Sequence, residues 1–326
     1  MDEWFVLGVD LGSTTAKAAV VDSAGTLRAS SVVQMGAVSR EAVTRAIDEA
    51  LAAAGIARSD IKRTISTGYG RKLVPGADRS FTEITCHARG AAALHPGVRL
   101  VIDIGGQDSK AIIVDDEGLV ERFAMNDRCA SGTGRFFDVL ARALEVDIAE
   151  VGELALAGSN HLEVSSMCAT FAETEVISML AQGQDKADIA ASVHKAVAAR
   201  TLGLVAQVGR ATPTVITGGV AKNPAACAAI AAVLRNPVEQ LDTPQIAGAY
   251  GAGLLARDDW AGSRDLPVTA DESASADFDR HKSAGVPHCT DCDGRLDHEH
   301  EHDHHGQDHH GGARGPVDLP LQRSIR

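Results

Sequence analysis

Short apolar runs that end in small and hydroxyl residues alternate with amphipathic stretches along the first 260 residues. Leu100-Val-Ile-Asp-Ile104 reads as a buried strand and runs directly into Gly105-Gly106-Gln107-Asp108-Ser109-Lys110. Near the start, Phe5 to Asp10 is a second such strand, followed by Gly12-Ser13-Thr14-Thr15-Ala16-Lys17. Ala18 to Val21 continues as a strand, and Asp22-Ser-Ala-Gly25 closes a hairpin turn. Ser39 to Ala54 predicts a helix, with Ser39 as N-cap, Val43, Ile47, Ala50 and Leu51 on one face, and Gly55 at its end. Ile61 to Ser66 predicts a strand that leads into the loop Thr67-Gly-Tyr-Gly-Arg71, and Glu83 opens another helix. After residue 187 a long helical pattern reaches Val208. Thr214 to Thr217 then reads as a buried strand, Gly218-Gly219 as a turn, and Asn223-Pro224 as the N-cap and first residue of a helix. From Ile246 onward small residues predict a helix able to pack very close to a neighbour.

Two of these segments repeat. Asp10, Gly12, Lys17 and Ala18 match Asp103, Gly105, Lys110 and Ala111 at the same offsets. The match extends to Val21-Asp22 against Val114-Asp115 and to Gly25 against Gly118. Two related halves would each offer a hairpin turn to one ligand held between them. The bland alternative is a pair of ordinary hairpins, with Lys17 and Lys110 as solvated strand residues.

At 326 residues the chain is long enough for two domains with cores of their own. Aliphatics are plentiful and aromatics scarce, which suits an α/β fold. Neither a leader-like start nor an apolar run long enough to span a bilayer is expected, so the reading is cytoplasmic, with no membrane partner. There the six cysteines are thiols or metal ligands rather than disulfides. A net charge of −13 argues against nucleic-acid binding. Residues 261–326 carry 13 acidic and 7 basic groups and nine of the thirteen histidines, with Phe278 as their sole aromatic. Such a segment buries too little apolar surface to fold and is expected to be disordered. Cys289, Cys292 and the histidines from His298 to His310 offer Zn²⁺ or Ni²⁺ ligands, or else a metal-sticky tail with no defined site.

Glycine turns after strands let backbone N–H groups approach phosphate oxygens, because no Cβ stands in the way. No Gly-x-x-x-x-Gly-Lys-Ser/Thr and no strand-linked Gly-x-Gly-x-x-Gly occurs, so P-loop and Rossmann grips lack support. Met125-Asn-Asp-Arg-Cys129-Ala-Ser-Gly-Thr-Gly134 leads to the head of a helix, and Cys168 stands before another. A cysteine at a helix N-terminus feels the positive end of the helix dipole, which favours a thiolate or an anionic cluster. Cys86 and Cys227 lie on helices and read as core thiols.

Asp-Leu-Gly-Ser-Thr-Thr from residue 10, Asp-Ile-Gly-Gly-Gln-Asp-Ser-Lys from residue 103 and Thr-Gly-Gly-Val-Ala-Lys-Asn from residue 217 resemble the phosphate 1, phosphate 2 and adenosine motifs of the acetate/sugar kinase–Hsp70–actin (ASKHA) superfamily. With Thr67-Gly-Tyr-Gly-Arg71, Glu83-Ile-Thr-Cys-His-Ala88, Asn126 to Arg135 and Cys168 to Ser178 added, the pattern resembles the BadF/BadG/BcrA/BcrD ATPase family over about residues 4–257. That family includes the activators of 2-hydroxyacyl-CoA dehydratases and the ATPase subunits of benzoyl-CoA reductase. The resemblance implies duplicated ribonuclease H-like domains around an ATP cleft. Residues 1–98 would form the first, residues 99–260 the second, and residues 261–326 the tail. It implies Asp10 and Asp103 for Mg²⁺ and its waters, and Gly12, Ser13, Thr14, Thr15, Lys17, Gly105, Gly106 and Lys110 around the phosphates. Gln107 or Asp108 would position the attacking water, and Gly218, Gly219, Lys222 and Asn223 would hold adenosine. It further implies a homodimer with one [4Fe–4S] cluster on its two-fold axis, ligated by Cys129 and Cys168 of each chain. A ferredoxin or flavodoxin would supply the electron, and a partner Fe–S acyl-CoA dehydratase or reductase would receive it.

Two other classes share some of these features. A small-molecule kinase would use the ATP core and leave Cys129 and Cys168 idle. A metal-handling protein would be led by its tail. Within the favoured family, a dehydratase activator and a benzoyl-CoA reductase subunit would have the same ATP site.

Overall fold

A computed structural model describes residues 3–36, 38–127, 130, 132–159, 162–164 and 169–262. Cys129, Cys168 and residues 263–326 of the expected disordered tail lie outside these residues.

Two five-stranded sheets carry the repeat. The first consists of β1 (Phe5–Leu11), β2 (Thr15–Asp22), β3 (Leu27–Gln34), β4 (Ile61–Thr67) and β5 (Arg79–Ser80), with α1 (Arg40–Ala54) between β3 and β4. Its strand order is β3-β2-β1-β4-β5. After α2 (Glu83–Leu94), the second sheet begins with β6 (Leu100–Ile104), β7 (Ser109–Val114) and β8 (Val120–Asn126). Next come α3 (Gly134–Leu144), α4 (Val151–Leu156), α5 (Ala169–Ala181) and α6 (Lys186–Val208). The chain then continues through β9 (Thr214–Thr217), α7 (Pro224–Leu234), β10 (Glu239–Gln240) and α8 (Ala247–Trp260). The second order, β8-β7-β6-β9-β10, repeats the first strand for strand. In both sheets the first three strands are antiparallel and the last two join in parallel.

The duplication extends to single bonds. Asp10 lies opposite Lys17, and Asp103 opposite Lys110. Gly12 N–H donates to the Thr15 carbonyl and Gly105 N–H to the Asp108 carbonyl, each at 3.0 Å. At the far ends, the Asp22 carboxylate accepts from Ala24 and Thr26 N–H, and that of Asp115 accepts from Glu117 and Leu119 N–H.

Apolar faces cover both sides of each sheet. On the first sheet, α1 buries Val43, Ala46, Ile47, Ala50 and Leu51 against β1 to β3, capped by Ser39 and ended by left-handed Gly55 as its pattern predicts. Its other face is covered by α8, which comes from the end of the folded chain. The second sheet packs on one side against the α3–α7 cluster and on the other against α2. Each half therefore lends a helix to the other. Where these two helices cross, a Cβ on Gly90 would overlap the Ala247 carbonyl, and one on Gly251 would overlap the Cys86 carbonyl. Glycine permits this backbone-to-backbone contact, which fulfils the expectation of a closely packing small-residue helix. Tyr250 donates its hydroxyl to the Gly25 carbonyl at 2.7 Å, and Asp259 receives Arg63 and Arg79 at 2.6 Å each, fastening α8 to the first sheet.

One sequence expectation is corrected by α6. This helix is long and apolar enough, by length and composition, to cross a membrane. Its Val193, Val197 and Val205 are nevertheless fully buried against the second sheet and its neighbours. Burial of each such side chain stabilises the fold by about 1.5–3 kcal/mol, which accounts for the apolar run as core. Cys86 is likewise core: it is fully buried, and burial pushes its thiol up to about 12. The helix expected after the Asn126–Gly134 stretch is α3, which starts at Gly134.

Candidate functional site

A cleft of about 980 Å³ opens between the two hairpin turns. All sixteen residues expected around a nucleotide line it: Asp10, Gly12, Ser13, Thr14, Thr15 and Lys17; Asp103, Gly105, Gly106, Gln107, Asp108 and Lys110; and Gly218, Gly219, Lys222 and Asn223. The two expected cluster cysteines lie outside the described residues. Across the cleft the turns almost touch. A Cβ on Gly106 would come within 2.7 Å of the Thr14 hydroxyl and 3.3 Å of the Ser13 hydroxyl. Only a bare backbone fits there, and it leaves the peptide groups of the second turn facing the hydroxyls of the first.

Two matched Asp–Lys pairs hold much of the charge in the cleft. Lys17 Nζ lies 2.8 Å from Asp10, and Lys110 Nζ lies 3.0 Å from Asp103. Their side chains are 13% and 1% exposed, which excludes the reading of solvated strand lysines. Burial opposes the charge on Lys17, but Asp10, with Asp103 and Glu83 further off, more than offsets it and raises its pKa. Lys110 is also 3.1 Å from Glu83 and 2.9 Å from Asp108, and these anions hold it well above the usual lysine value against the same burial. For Asp103, burial is outweighed by His87 and Lys110, with the Thr217 hydroxyl donating at 2.9 Å, and its carboxyl stays well below the usual range. Asp108 goes the other way. Burial, joined by Glu83 and Asp103, prevails over Lys110 and raises it to about 6. Two matched Asp–Lys pairs thus differ in their surroundings, and the second pair carries the additional acids.

Several cleft residues were not assigned roles from the sequence. Glu83, read only as a helix start, reaches Lys110 from the first turn of α2. His87, one helical turn on, points Nδ1 at Asp103 at 3.3 Å, while Gly248 leaves open the space between its Nε2 and Asp10. The repeat also has a third member. Thr67-Gly68 at the end of β4 and Thr217-Gly218 at the end of β9 hold equivalent positions, and both glycines are left-handed, at φ 90° and 85°. A Cβ on Gly68 would press on Asp10 and come within 2.6 Å of the Leu11 carbonyl. One on Gly218 would lie 2.9 Å from Asp103 and 2.7 Å from the Ile104 carbonyl carbon. Each glycine thus lets a loop pass against the back of a strand-end aspartate. Two identical residues per half are too short a signal to find by eye, although Thr-Gly recurring after the parallel strand of each half would have revealed it.

The second turn is bonded to α3. Gly134 N–H donates to the Gly105 carbonyl at 2.8 Å and Arg135 N–H to the Gly106 carbonyl at 2.9 Å. Just upstream, the Thr133 hydroxyl donates to the Ala130 carbonyl at 2.7 Å. The N–H groups of Gly134 and Arg135, the first of α3, are therefore spent on the turn itself. Following Cys168, α5 packs against α3. At the far end of the cleft, Gly219 and Lys222 form a short turn before Asn223, which caps α7 through Ala226 N–H at 3.0 Å with Pro224 at the first helical position.

Comparison with known proteins matches residues 7–256 to the model of the BadF/BadG/BcrA/BcrD ATPase family. The chain is 44% identical over 252 residues to an activator of lactoyl-CoA dehydratase from Anaerotignum propionicum, covering 77% of this chain and 97% of that protein. Its fold is similar to that of the activator of the 2-hydroxyisocaproyl-CoA dehydratase from Clostridium difficile with bound ADPNP. The TM-score is 0.76 and the identity 38%, over 81% of this chain and 98% of the other. A shorter match, 39% identical over 169 residues, joins 52% of the chain to 60% of a benzoyl-CoA reductase subunit from Thauera aromatica.

Proposed function

The chain belongs to the BadF/BadG/BcrA/BcrD ATPase family, and from that premise we propose that it is an ATP-hydrolysing activator of a 2-hydroxyacyl-CoA dehydratase. Its output would be one low-potential electron, taken from a ferredoxin or flavodoxin and delivered to a partner Fe–S enzyme in the cytoplasm. The near-complete match to dehydratase activators supports this reading over the ATPase subunit of a benzoyl-CoA reductase, where the match covers 60% of the relative.

The cleft fits a nucleoside triphosphate by its own chemistry. Two cations held by carboxylates face it, the second turn admits no Cβ at Gly106, and its volume suits the ligand. Gly12, Ser13, Thr14, Thr15 and Lys17 on one side, and Gly105, Gly106 and Lys110 on the other, would grip the phosphates. Gly218, Gly219, Lys222 and Asn223 would hold adenosine. Mg²⁺ would neutralise phosphate charge, with Asp10 and Asp103 holding it through water. Of the two candidates for orienting the attacking water we favour Gln107. It is exposed in the cleft, whereas Asp108 is engaged by Lys110.

A [4Fe–4S] cluster would supply one-electron transfer, and Cys129 and Cys168 from each chain of a homodimer would be its four thiolates. The donor set suits it: each chain offers two such cysteines, and the segments that follow them lead into the packed pair α3 and α5. The observation that carries the coupling is the pair of bonds from α3 to Gly105 and Gly106. Any movement of the phosphate turn pulls directly on the chain that leads back to Cys129. Residues 1–98 and 99–260 would be the moving halves, with the α2–α8 crossing as their pivot.

Iron, sulfide and the visible spectrum of protein purified without oxygen test this reading, for the natural sequence and for Cys129→Ala. About four irons per dimer, with broad absorption that dithionite bleaches, are expected for the natural sequence. The variant should be colourless yet still hydrolyse ATP. A colourless natural protein with full ATPase activity would overturn the electron-transfer role.

A further inference from the structure

We infer that His194, buried beneath the cleft and touching none of its contents, sets nucleotide affinity by holding the Asn223 carboxamide in one orientation. The inference rests on the assignment of Asn223 to the nucleoside end of the site. His194 lies on α6, is 2% exposed, and packs its ring 4.8 Å from that of Phe137 at 47°. Its Nδ1 is 2.7 Å from the Ala190 carbonyl oxygen. A carbonyl can only accept, so Nδ1 carries the hydrogen and a neutral ring must present a lone pair at Nε2. Burial lowers the pKa of the imidazole, with no opposing carboxylate among the causes, so the ring is neutral.

That lone pair faces Asn223. The amide lies edge-on to the ring, with Asn223 Nδ2 2.9 Å and Oδ1 3.2 Å from His194 Nε2; the nitrogen is the nearer atom, and Oδ1 accepts from Ala226 N–H at 3.0 Å. The two bonds agree on one orientation of the amide, with nitrogen toward α6 and oxygen toward the head of α7. Turning the amide over would make its oxygen the nearer atom to the imidazole lone pair and set its NH₂ against the Ala226 N–H donor. From a third side α4 closes the position: a Cβ on Gly152 would come within 2.6 Å of Asn223 Oδ1. What remains of the Asn223 side chain, one N–H and one carbonyl lone pair, is available to the cleft it lines. The buried ring therefore decides which polar atoms a nucleoside meets. His194 is a positioning residue rather than a catalytic one.

The test is ADP affinity and the KM for ATP of the full chain, for the natural sequence, His194→Phe and His194→Gln. Phenylalanine keeps the ring packing and removes the acceptor, whereas glutamine keeps an acceptor near the Nε2 position. His194→Phe should raise the KM and the ADP Kd about five- to tenfold with kcat little changed, as loss of one buried hydrogen bond implies. His194→Gln should recover most of that loss. Unchanged KM and Kd in the Phe variant, or equal losses in both variants, would overturn the inference while leaving the ATPase assignment intact. A natural protein that binds no ADP would overturn both. If the Phe variant fails to fold, imidazole ¹⁵N shifts of the natural protein decide the matter. A neutral Nδ1–H ring at His194 supports the inference, and a charged or Nε2–H ring sinks it.

Discussion

Replacing Lys110 by methionine removes the cation that Glu83, Asp103 and Asp108 share. Its Nζ lies 2.9–3.1 Å from an oxygen of each, on a side chain that is 1% exposed. Removing one member of a buried ionic network costs about 3–5 kcal/mol, because the partner charges stay buried without compensation. Part of that penalty can be relieved by proton uptake. Asp108 already titrates at about 6 with Lys110 in place, and it rises further once the lysine is gone. A carboxyl whose folded pKa exceeds its unfolded value of about 3.9 holds its proton more tightly when folded. Stability then falls as pH rises between the two values and is level above the higher one. In the natural protein this window closes near 6, whereas in Lys110→Met it extends upward. The variant should thus lose about 3–5 kcal/mol at about pH 8 and at least 1 kcal/mol less than that at about pH 6. Urea unfolding followed by circular dichroism in metal-free buffer measures both. A loss under about 1 kcal/mol at the higher pH, or an equal loss at the two, would refute the electrostatic account of the cleft.

Gly218→Ala should destabilise the protein by roughly 2–4 kcal/mol in thermal melting, through its left-handed backbone and the clash with β6. Gly68→Ala should do the same against β1, and a loss under about 1 kcal/mol in either would show that the two loops are not held against their aspartates. Truncation after Gly262 should leave ATP hydrolysis unchanged and abolish high-stoichiometry Ni²⁺ or Zn²⁺ uptake, both measurable on the purified chain. Loss of hydrolysis would bring the tail into the machinery.

Much of the site was legible because its chemistry repeats at short range. Asp, Gly and Lys at matched offsets implied two hairpins, and the register places Asp10 opposite Lys17 and Asp103 opposite Lys110. Ser39, Asn223 and Pro224 announced their helices through capping, which depends on a few neighbouring residues. Contacts made by distant parts of the chain were not legible. Glu83 meets Lys110, and His194 meets Asn223, only once helices have packed. That α2 and α8 cover each other's sheets is likewise a tertiary choice, since an apolar face does not specify which sheet it will cover. The start of α3 near Gly134 was legible, but its tie to the phosphate turn, through hydrogen bonds to the Gly105 and Gly106 carbonyls, was not. The six residues of α4 make too short a helix for periodicity to declare.

The bonds from Gly134 and Arg135 to the phosphate turn carry a further obligation. Two sites joined through one shared element form a closed thermodynamic cycle, in which neither can be master. If a triphosphate in the cleft shifts the equilibrium at the Cys129 segment by some factor, then whatever happens at that segment must alter the grip on the triphosphate by the same factor. On the proposed coupling, nucleotide affinity would therefore also gauge the state of the Cys129 segment.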